Sequence, residues 1–420
     1  MRNSEAIELG LREALLKDGR QLLQNLYAQM ALAVPNNASQ PGEKCHPDRP
    51  LAMHSIFGLV ELRRDYFYRP ATGQGRFPLD EALGLVESFS PALVRLGARA
   101  VAREGYQAAS EDLVALAGIQ IEGRQLHRLV QQVGPRVAAQ LQEGPVGERE
   151  PIPVMYLEAD ATGVPMVAEE LAGRPGKQPD GSAKTREIKL GCVFTQTKPD
   201  PDTGLPMRDF DSTTYMGSFE TATDFGLRLR REALRRGLSR ARQVVFLGDG
   251  AAWIWELARV NFPMAIEIVD FYHVAERLHE LCAGLYSGPG HWAQRREEQW
   301  KPMLKEDRVA EVIAAARRRL QDLGRPADHS LDKQIAYFEN HQSRMLYKTY
   351  RDQGLFYGSG VIEAGCKAVI GQRLKESGMF WTETGASQVL ALRCALKGNR
   401  WEECWDRLHD SNYLKIRAAA

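Results

Sequence analysis

The chain has 420 residues, more than one ordinary core supports, and its 44% hydrophobic and 26% charged composition is that of a globular protein of two or three domains. That balance excludes a wholly disordered, collagen-like or disulfide-scaffold chain. No apolar run approaches the roughly 20 residues of a membrane span, and six scattered cysteines without a C-x-x-C pair read as reduced, cytoplasmic thiols. The net charge of +1 hides an asymmetry: residues 1–150 carry −1, residues 151–275 carry −2 and residues 276–420 carry +4.

The first segment, 1–78, predicts a helix over 1–33, with Ile7, Leu11, Leu15, Leu22 and Leu26 near helical spacing. A Pro- and Gly-bearing linker follows over 34–50, then a small β-hairpin region over 51–77, rich in aromatic and β-branched residues. The second segment, 79–150, is helical and contains a helix-turn-helix-like hairpin. There Ser110 offers an N-cap, Gly118 the turn, and a second helix carries Arg124 and Arg128 outward, as a groove-reading helix would. Such hairpins are common in proteins that bind no DNA, so this one is only a candidate DNA-binding element. Residues 143–153 read as a linker by composition.

From residue 154 the period changes to that of strands. The runs VMYLEAD, REIKLGCVFTQT and RDFDSTTYMG predict three successive strands. A helix, the strand QVVFLGDG, a second helix and the strand MAIEIVDFYH come next. That order is the one of an RNase H-like α/β domain with a mixed sheet, here over 151–400, with an all-α insertion at about 280–350 and a tail at 401–420. The helix after the third strand belongs to a basic run of seven arginines over 228–242, among them Arg231 and Arg235. Two readings stay open for it: a phosphate-binding surface, or a solvated amphipathic helix with Leu227, Leu229, Leu234 and Leu238 inward.

Three acids stand where chemistry could gather. Asp160 ends the first strand run, Asp249 ends the fourth, and Glu363 lies on a glycine-led helix, S-G-V-I-E-A-G-C-K. Carboxylates at neighbouring strand ends converge at a sheet edge, and an all-oxygen ligand set suits Mg²⁺ or Mn²⁺. Two such ions about 3.5–4 Å apart support phosphoryl transfer. Singly, each aspartate also reads as a turn or cap residue. Glu158 shares a strand face with Asp160 and is a further or alternative ligand.

The stretches D-G-A-A-W-I, I-V-D-F-Y-H-V-A-E-R-L and S-G-V-I-E-A-G-C-K-A-V-I-G-Q-R-L-K-E-S-G-M-F-W-T-E-T-G-A resemble the DDE insertion-sequence transposases of the ISKra family, over most of 79–400. The resemblance implies Asp160, Asp249 and Glu363 as a catalytic, metal-binding triad, with Asp270 and His273 of D-F-Y-H beside it. His273 would orient or neutralise the scissile phosphate, or else pack a helix start. Arg373 and Lys375 are candidate phosphate contacts. Trp381 is a candidate base-stacking residue, or a core residue. The implied partners are transposon ends and target DNA, with a homodimer in the synaptic complex and no membrane. The implied location is the bacterial cytoplasm, on the nucleoid. Two departures stand out: Y-R-P-A-T-G-Q-G-R replaces a cysteine-bearing, zinc-ribbon-like element, and the first acid sits in E-A-D-A-T rather than D-G-T.

Other classes compete. E-A-D-A-T with G-D-G-A-A-W approaches a HAD phosphohydrolase pattern, but Glu158 stands where that chemistry needs a nucleophilic Asp. A helix-turn-helix regulator with an α/β sensing domain predicts no clustering of the three acids. A site-specific nuclease would share fold and chemistry.

Overall fold

The computed structural model describes residues 3–33, 39–143, 150–176, 178–179, 181–287, 291–324 and 329–408. Parts of the expected linkers (34–38 and 144–149) and most of the expected tail (409–420) lie outside the described residues. The chain divides into two units: 1–143 together with 372–420, and 144–371.

In the first unit, α1 (Ser4–Ala33) is helical as its periodicity predicts, yet it has no buried residue. Leu23 and Tyr27 pack on Met53, Val60 and Leu62 of the hairpin, while Ile7, Leu11, Leu15, Leu22 and Leu26 face outward. The antiparallel strands β1 (Lys44–Ser55) and β2 (Gly58–Arg69), with β3 (Gln74–Arg76), form a three-stranded sheet. Strand β1 therefore begins inside the stretch expected to be linker. The helices α2 (Pro78–Ala82), α3 (Pro91–Arg103), α4 (Tyr106–Ala117) and α5 (Gly123–Gln142) follow.

The expected helical hairpin is α4–α5, with Gly118 in the left-handed region at φ 70°, where glycine carries no Cβ penalty. Ser110 is not its N-cap. The helix starts four residues earlier, and the buried Ser110 hydroxyl donates to the Ile121 carbonyl at 2.5 Å. In α5, Leu126, Leu129, Val130, Val133 and Val137 form the buried stripe.

The second unit opens with β4 (Ile152–Pro165), α6 (Ala168–Leu171), β5 (Thr185–Gln196), β6 (Thr214–Ser218) and α7 (Ala222–Arg235). It continues with β7 (Ala241–Gly248), α8 (Ala252–Asn261) and β8 (Ile266–Val269). The five strands form one mixed sheet in the order β6-β5-β4-β7-β8, antiparallel on the β6-β5-β4 side and parallel through β4-β7-β8. Met155 to Ala159 are buried in an unbroken run, as expected of a central strand covered on both faces.

Two expected strands are shorter than their apolar runs. β6 starts only at Thr214; Asp209, inside the expected run, accepts the Thr195 and Thr197 hydroxyls with its carboxylate. β8 ends at Val269 because Asp270 caps the next helix.

The inward face of α7 is Phe225, Leu229 and Ala233, four residues apart. Leu227 and Leu234, expected inward, are exposed. Phe225 and Leu229 close on Gly191 of β5, where a Cβ would meet them at 3.1 and 3.2 Å.

The helices α9 (Phe271–Leu285), α10 (Trp292–Lys305), α11 (Val309–Asp322), α12 (His329–His341) and α13 (Tyr347–Asp352) come next. α14 (Gly360–Gly365) and a π-helical stretch, Cys366–Gly371, end the unit, with α14 lying on β4 and β5.

The chain then re-enters the first unit through α15 (Gln372–Leu374) and α16 (Glu383–Lys397), rather than closing a 151–400 domain. α16 packs on α5 at Gly134, where a Cβ would lie 2.7 Å from Gln388. Its long apolar run, Val389 to Leu392 and beyond, is buried there.

Candidate active site

Strands β4 and β7 run parallel with Glu158 level with Leu247. Two residues beyond that last pair stand Asp160, still within β4 and paired with Leu190 of β5, and Asp249, which follows the last residue of β7. Both are partly exposed, whereas the strand residues before them are buried. Asp160 Oδ1 accepts the Ala161 N–H at 2.6 Å, and its Oδ2 receives the Cys366 thiol at 3.3 Å. Asp249 Oδ1 accepts the Ala251 N–H at 2.9 Å, and its carbonyl takes the Tyr337 hydroxyl at 3.2 Å. Cys366 follows Glu363 by three residues and opens the π-helical stretch, so it is the turn after the Glu363 helix that touches Asp160.

Two buried acids hold that helix in place. Helix α14 has no side-chain cap of its own. Asp270 Oδ2 instead accepts the Ser359 N–H, and Glu158 Oε2 accepts the Ile362 N–H at 2.7 Å. Carboxylates at a helix start satisfy otherwise unpaired donors and complement the helix dipole. Asp270 also caps α9 through the His273 N–H at 2.9 Å, and its own N–H donates to the Gly248 carbonyl at 2.8 Å. One fully buried residue thus links the β7 end through its backbone N–H, and the α9 and α14 starts through its carboxylate.

Glu363 is half-exposed, accepts the Ser359 hydroxyl at 3.3 Å, and lies 3.9 Å from His273 Nε2. Among the described residues, Asp270, His273 and Glu363 have ligand atoms within 4.8 Å of one another. The expected trio of Asp160, Asp249 and Glu363 does not form a group that tight. A pair of ions spreads its ligands over a wider span than one ion does.

Burial pushes the Glu158 carboxyl up to about 8; the Ile362 N–H opposes this, and the negative charges of Asp270 and Glu363 add to it. Its Oε1 is buried and has no hydrogen-bond partner among the described residues. An orphaned carboxylate oxygen near the charges of Asp270 and Glu363 is a donor whose chemical type suits a hard cation.

Without such a cation, folding favours protonated Glu158. Stability that is full below the ordinary value of 4.5 falls as pH rises to about 8. Glu158→Gln keeps the acceptor for Ile362 and removes the charge. In chelator at pH 8 its melting temperature is expected to exceed wild type by about 3–6 °C, with the gap closing at pH 5. A gap equal at both pH values in scanning fluorimetry would acquit the buried acid.

The remaining site candidates are scattered. Arg124 is exposed and paired with Glu122 at 2.6 Å; Arg128 pairs with Glu87 at 3.0 Å. Arg231 is exposed, but Arg235 is largely buried against Glu232, with Nε at 2.8 Å from Oε2. Arg228 and Arg236 likewise bond within their own unit, to Glu220 and to the Ser212 carbonyl. The basic run is mostly internal bonding, not a free phosphate surface.

Arg373, expected on phosphate, is fully buried: Nε donates to the Val101 carbonyl at 2.8 Å, and the guanidinium lies over Tyr106 and Trp381. Trp381 takes its core reading, since it is buried and its indole N–H donates to the Leu374 carbonyl at 3.0 Å. Lys375 is exposed. Sequence reasoning missed Ser359 and Cys366; their spacing of four before and three after Glu363, one turn on either side, was the available signal.

No protein-family model matches the chain. It is similar to the "UPF0236 protein in vanSb 3'region" of Streptococcus gallolyticus, 23% identical over 362 residues, covering 83% of this chain and 72% of that protein. Among solved structures it is similar to the Drosophila P element transposase strand transfer complex, with 12% identity, a TM-score of 0.30, and coverage of 75% of this chain and 80% of that one. Among the described residues, no helix is long and apolar enough to cross a membrane.

Proposed function

We propose that this chain is a DNA transposase of the DDE type, cutting and joining DNA at the ends of an insertion sequence, in line with its resemblance to the ISKra family. The observation that supports the reading is that the β4–β7 ladder ends two residues before Asp160 and Asp249, while Cys366, three residues after Glu363, bonds Asp160. The strand order β6-β5-β4-β7-β8, with one antiparallel half, supports an RNase H-like catalytic domain.

Asp160, Asp249 and Glu363 would hold Mg²⁺ or Mn²⁺, and Glu158 would keep the Glu363 helix in place. When bound, the ions supply Lewis acidity at the attacking and leaving oxygens. Water attacks a phosphodiester phosphorus, the P–O3′ bond breaks, and the freed 3′ hydroxyl takes the proton. That hydroxyl then attacks a target phosphodiester, displacing another 3′ oxygen. His273, beside Glu363, is placed to donate to a phosphate oxygen in either step. The partners are the element's ends, target DNA and a second copy of the chain, on the nucleoid of a bacterial cytoplasm.

The test uses DNA carrying the sequences that flank the chain's own gene, incubated with the full protein in Mg²⁺, Mn²⁺ or chelator. Cleavage to 3′ hydroxyl ends and joined products, both absent in chelator, is expected. Cleavage without joining would assign a nuclease. Binding without cleavage in either cation would assign a regulator.

A further inference from the structure

Helix α1 is apolar over a wide arc, and its own unit covers only one flank of it. Leu16, Gly19, Leu23 and Tyr27 lie on the covered side: a Cβ at Gly19 would meet the Phe57 ring at 2.6 Å, and one at Gly118 would meet Leu16 at 2.8 Å. The other flank carries Ile7, Leu11, Leu15, Leu22, Leu26 and Met30, which are 43% to 65% exposed. At 3.6 residues per turn they fall within an arc of about 140° and run for about 35 Å along the helix. Six large side chains exposed in one stripe are unusual for a monomer. They could supply the apolar centre of an interface on the order of 800 Å² per partner.

The spacing of the stripe identifies the occupant. The intervals are four, four, seven, four and four residues, the same read from either end. Two identical helices laid antiparallel would therefore set Leu15 against Leu22, Leu11 against Leu26 and Ile7 against Met30, in both directions at once. A two-fold interface must be self-complementary in this way.

Charge selects the same orientation. Every charge of α1 lies between Glu5 and Arg20, and residues 21–33 carry none. A parallel pair would bring Glu8 and Asp18 onto their own copies, which is repulsive. The antiparallel pair sets Glu8 opposite Gln29 and Asp18 opposite Gly19, and the like charges it matches, Lys17 and Arg20, lie on the far side of each helix from the stripe.

We infer that the Ile7-to-Met30 stripe of α1 is a self-pairing surface that docks a second copy of this chain antiparallel to the first. Neither the acids of the second unit nor the transposase reading enters into it.

Sedimentation of the full chain without DNA tests it, with Leu15→Glu and Leu22→Lys made separately. Wild type is expected at twice the 47.1 kDa of one chain at micromolar concentration. Each variant is expected to be monomeric, with unchanged helix content by circular dichroism, because both side chains are exposed. An equimolar mixture of the two variants should recover a dimer. The carboxylate introduced at position 15 of one copy meets the ammonium introduced at position 22 of the other only when the helices run antiparallel. A monomeric wild type, a variant that stays dimeric, or a mixture that stays monomeric would each overturn the inference.

Discussion

Asp249→Asn is expected to reduce DNA cleavage by about 10³-fold or more while DNA affinity stays within a few-fold. Losing a charged ligand from a two-ion phosphoryl-transfer site removes several kcal/mol of transition-state stabilisation, and each 1.36 kcal/mol is about tenfold in rate. The fold has little reason to suffer. Asp249 Oδ1 accepts the Ala251 N–H, an interaction the asparagine carbonyl oxygen retains. Removing one charge from a neighbourhood that already holds Asp160, Asp270, Glu158 and Glu363 relieves repulsion. The melting temperature in chelator is therefore expected to hold or rise. Gel assays of nicked and joined DNA beside fluorescence anisotropy separate the two effects. Cleavage within tenfold of wild type would sink the assignment of Asp249 as a ligand.

The second large effect falls on stability. Arg373→Ala should destabilise the first unit by about 3–5 kcal/mol, from the cavity left by a large buried side chain and the carbonyl left unpaired. The guanidinium is wholly enclosed, donating to the Val101 carbonyl between the rings of Tyr106 and Trp381, and burial holds its pKa below the usual arginine value. For a unit of this size that is a fall in melting temperature of about 10 °C. Arg373→Met keeps most of the volume without a buried charge and should recover a good part of the loss. DNA affinity per folded molecule is expected to be unchanged in both. A folded Arg373→Met protein that binds DNA more than tenfold more weakly would restore the phosphate-contact reading.

The order of strands and helices from 154 to 270 was legible in the sequence, because alternation, helical spacing and turn residues are local signals. So was the placing of Asp249 just past a strand end, after a buried apolar run; Asp160, expected at a strand end too, lies inside β4, which runs on to Pro165 paired with β5. Arg235 and Arg373 were not legible as internal groups. A basic residue in a sequence reads as exposed by default, and only the carboxylate or carbonyl that closes over it says otherwise. The stripe on α1 shows the reverse failure: its periodicity gave the helix correctly, yet the apolar residues that carried it are the exposed ones.

Local pattern was enough to specify the element types, the helical hairpin with its Gly118 turn, and the aspartate that follows strand β7. These depend on backbone conformation and on stretches a few residues long. Long-range packing had to be seen to learn that Glu158 and Asp270 hold the start of the Glu363 helix, that Arg373 belongs to the core, and that 372–408 returns to the first unit. The bond from Ile362 to Glu158 joins residues 204 apart in the chain. Which carboxylate meets which unpaired N–H at that range is set by how the layers pack. No local pattern records it.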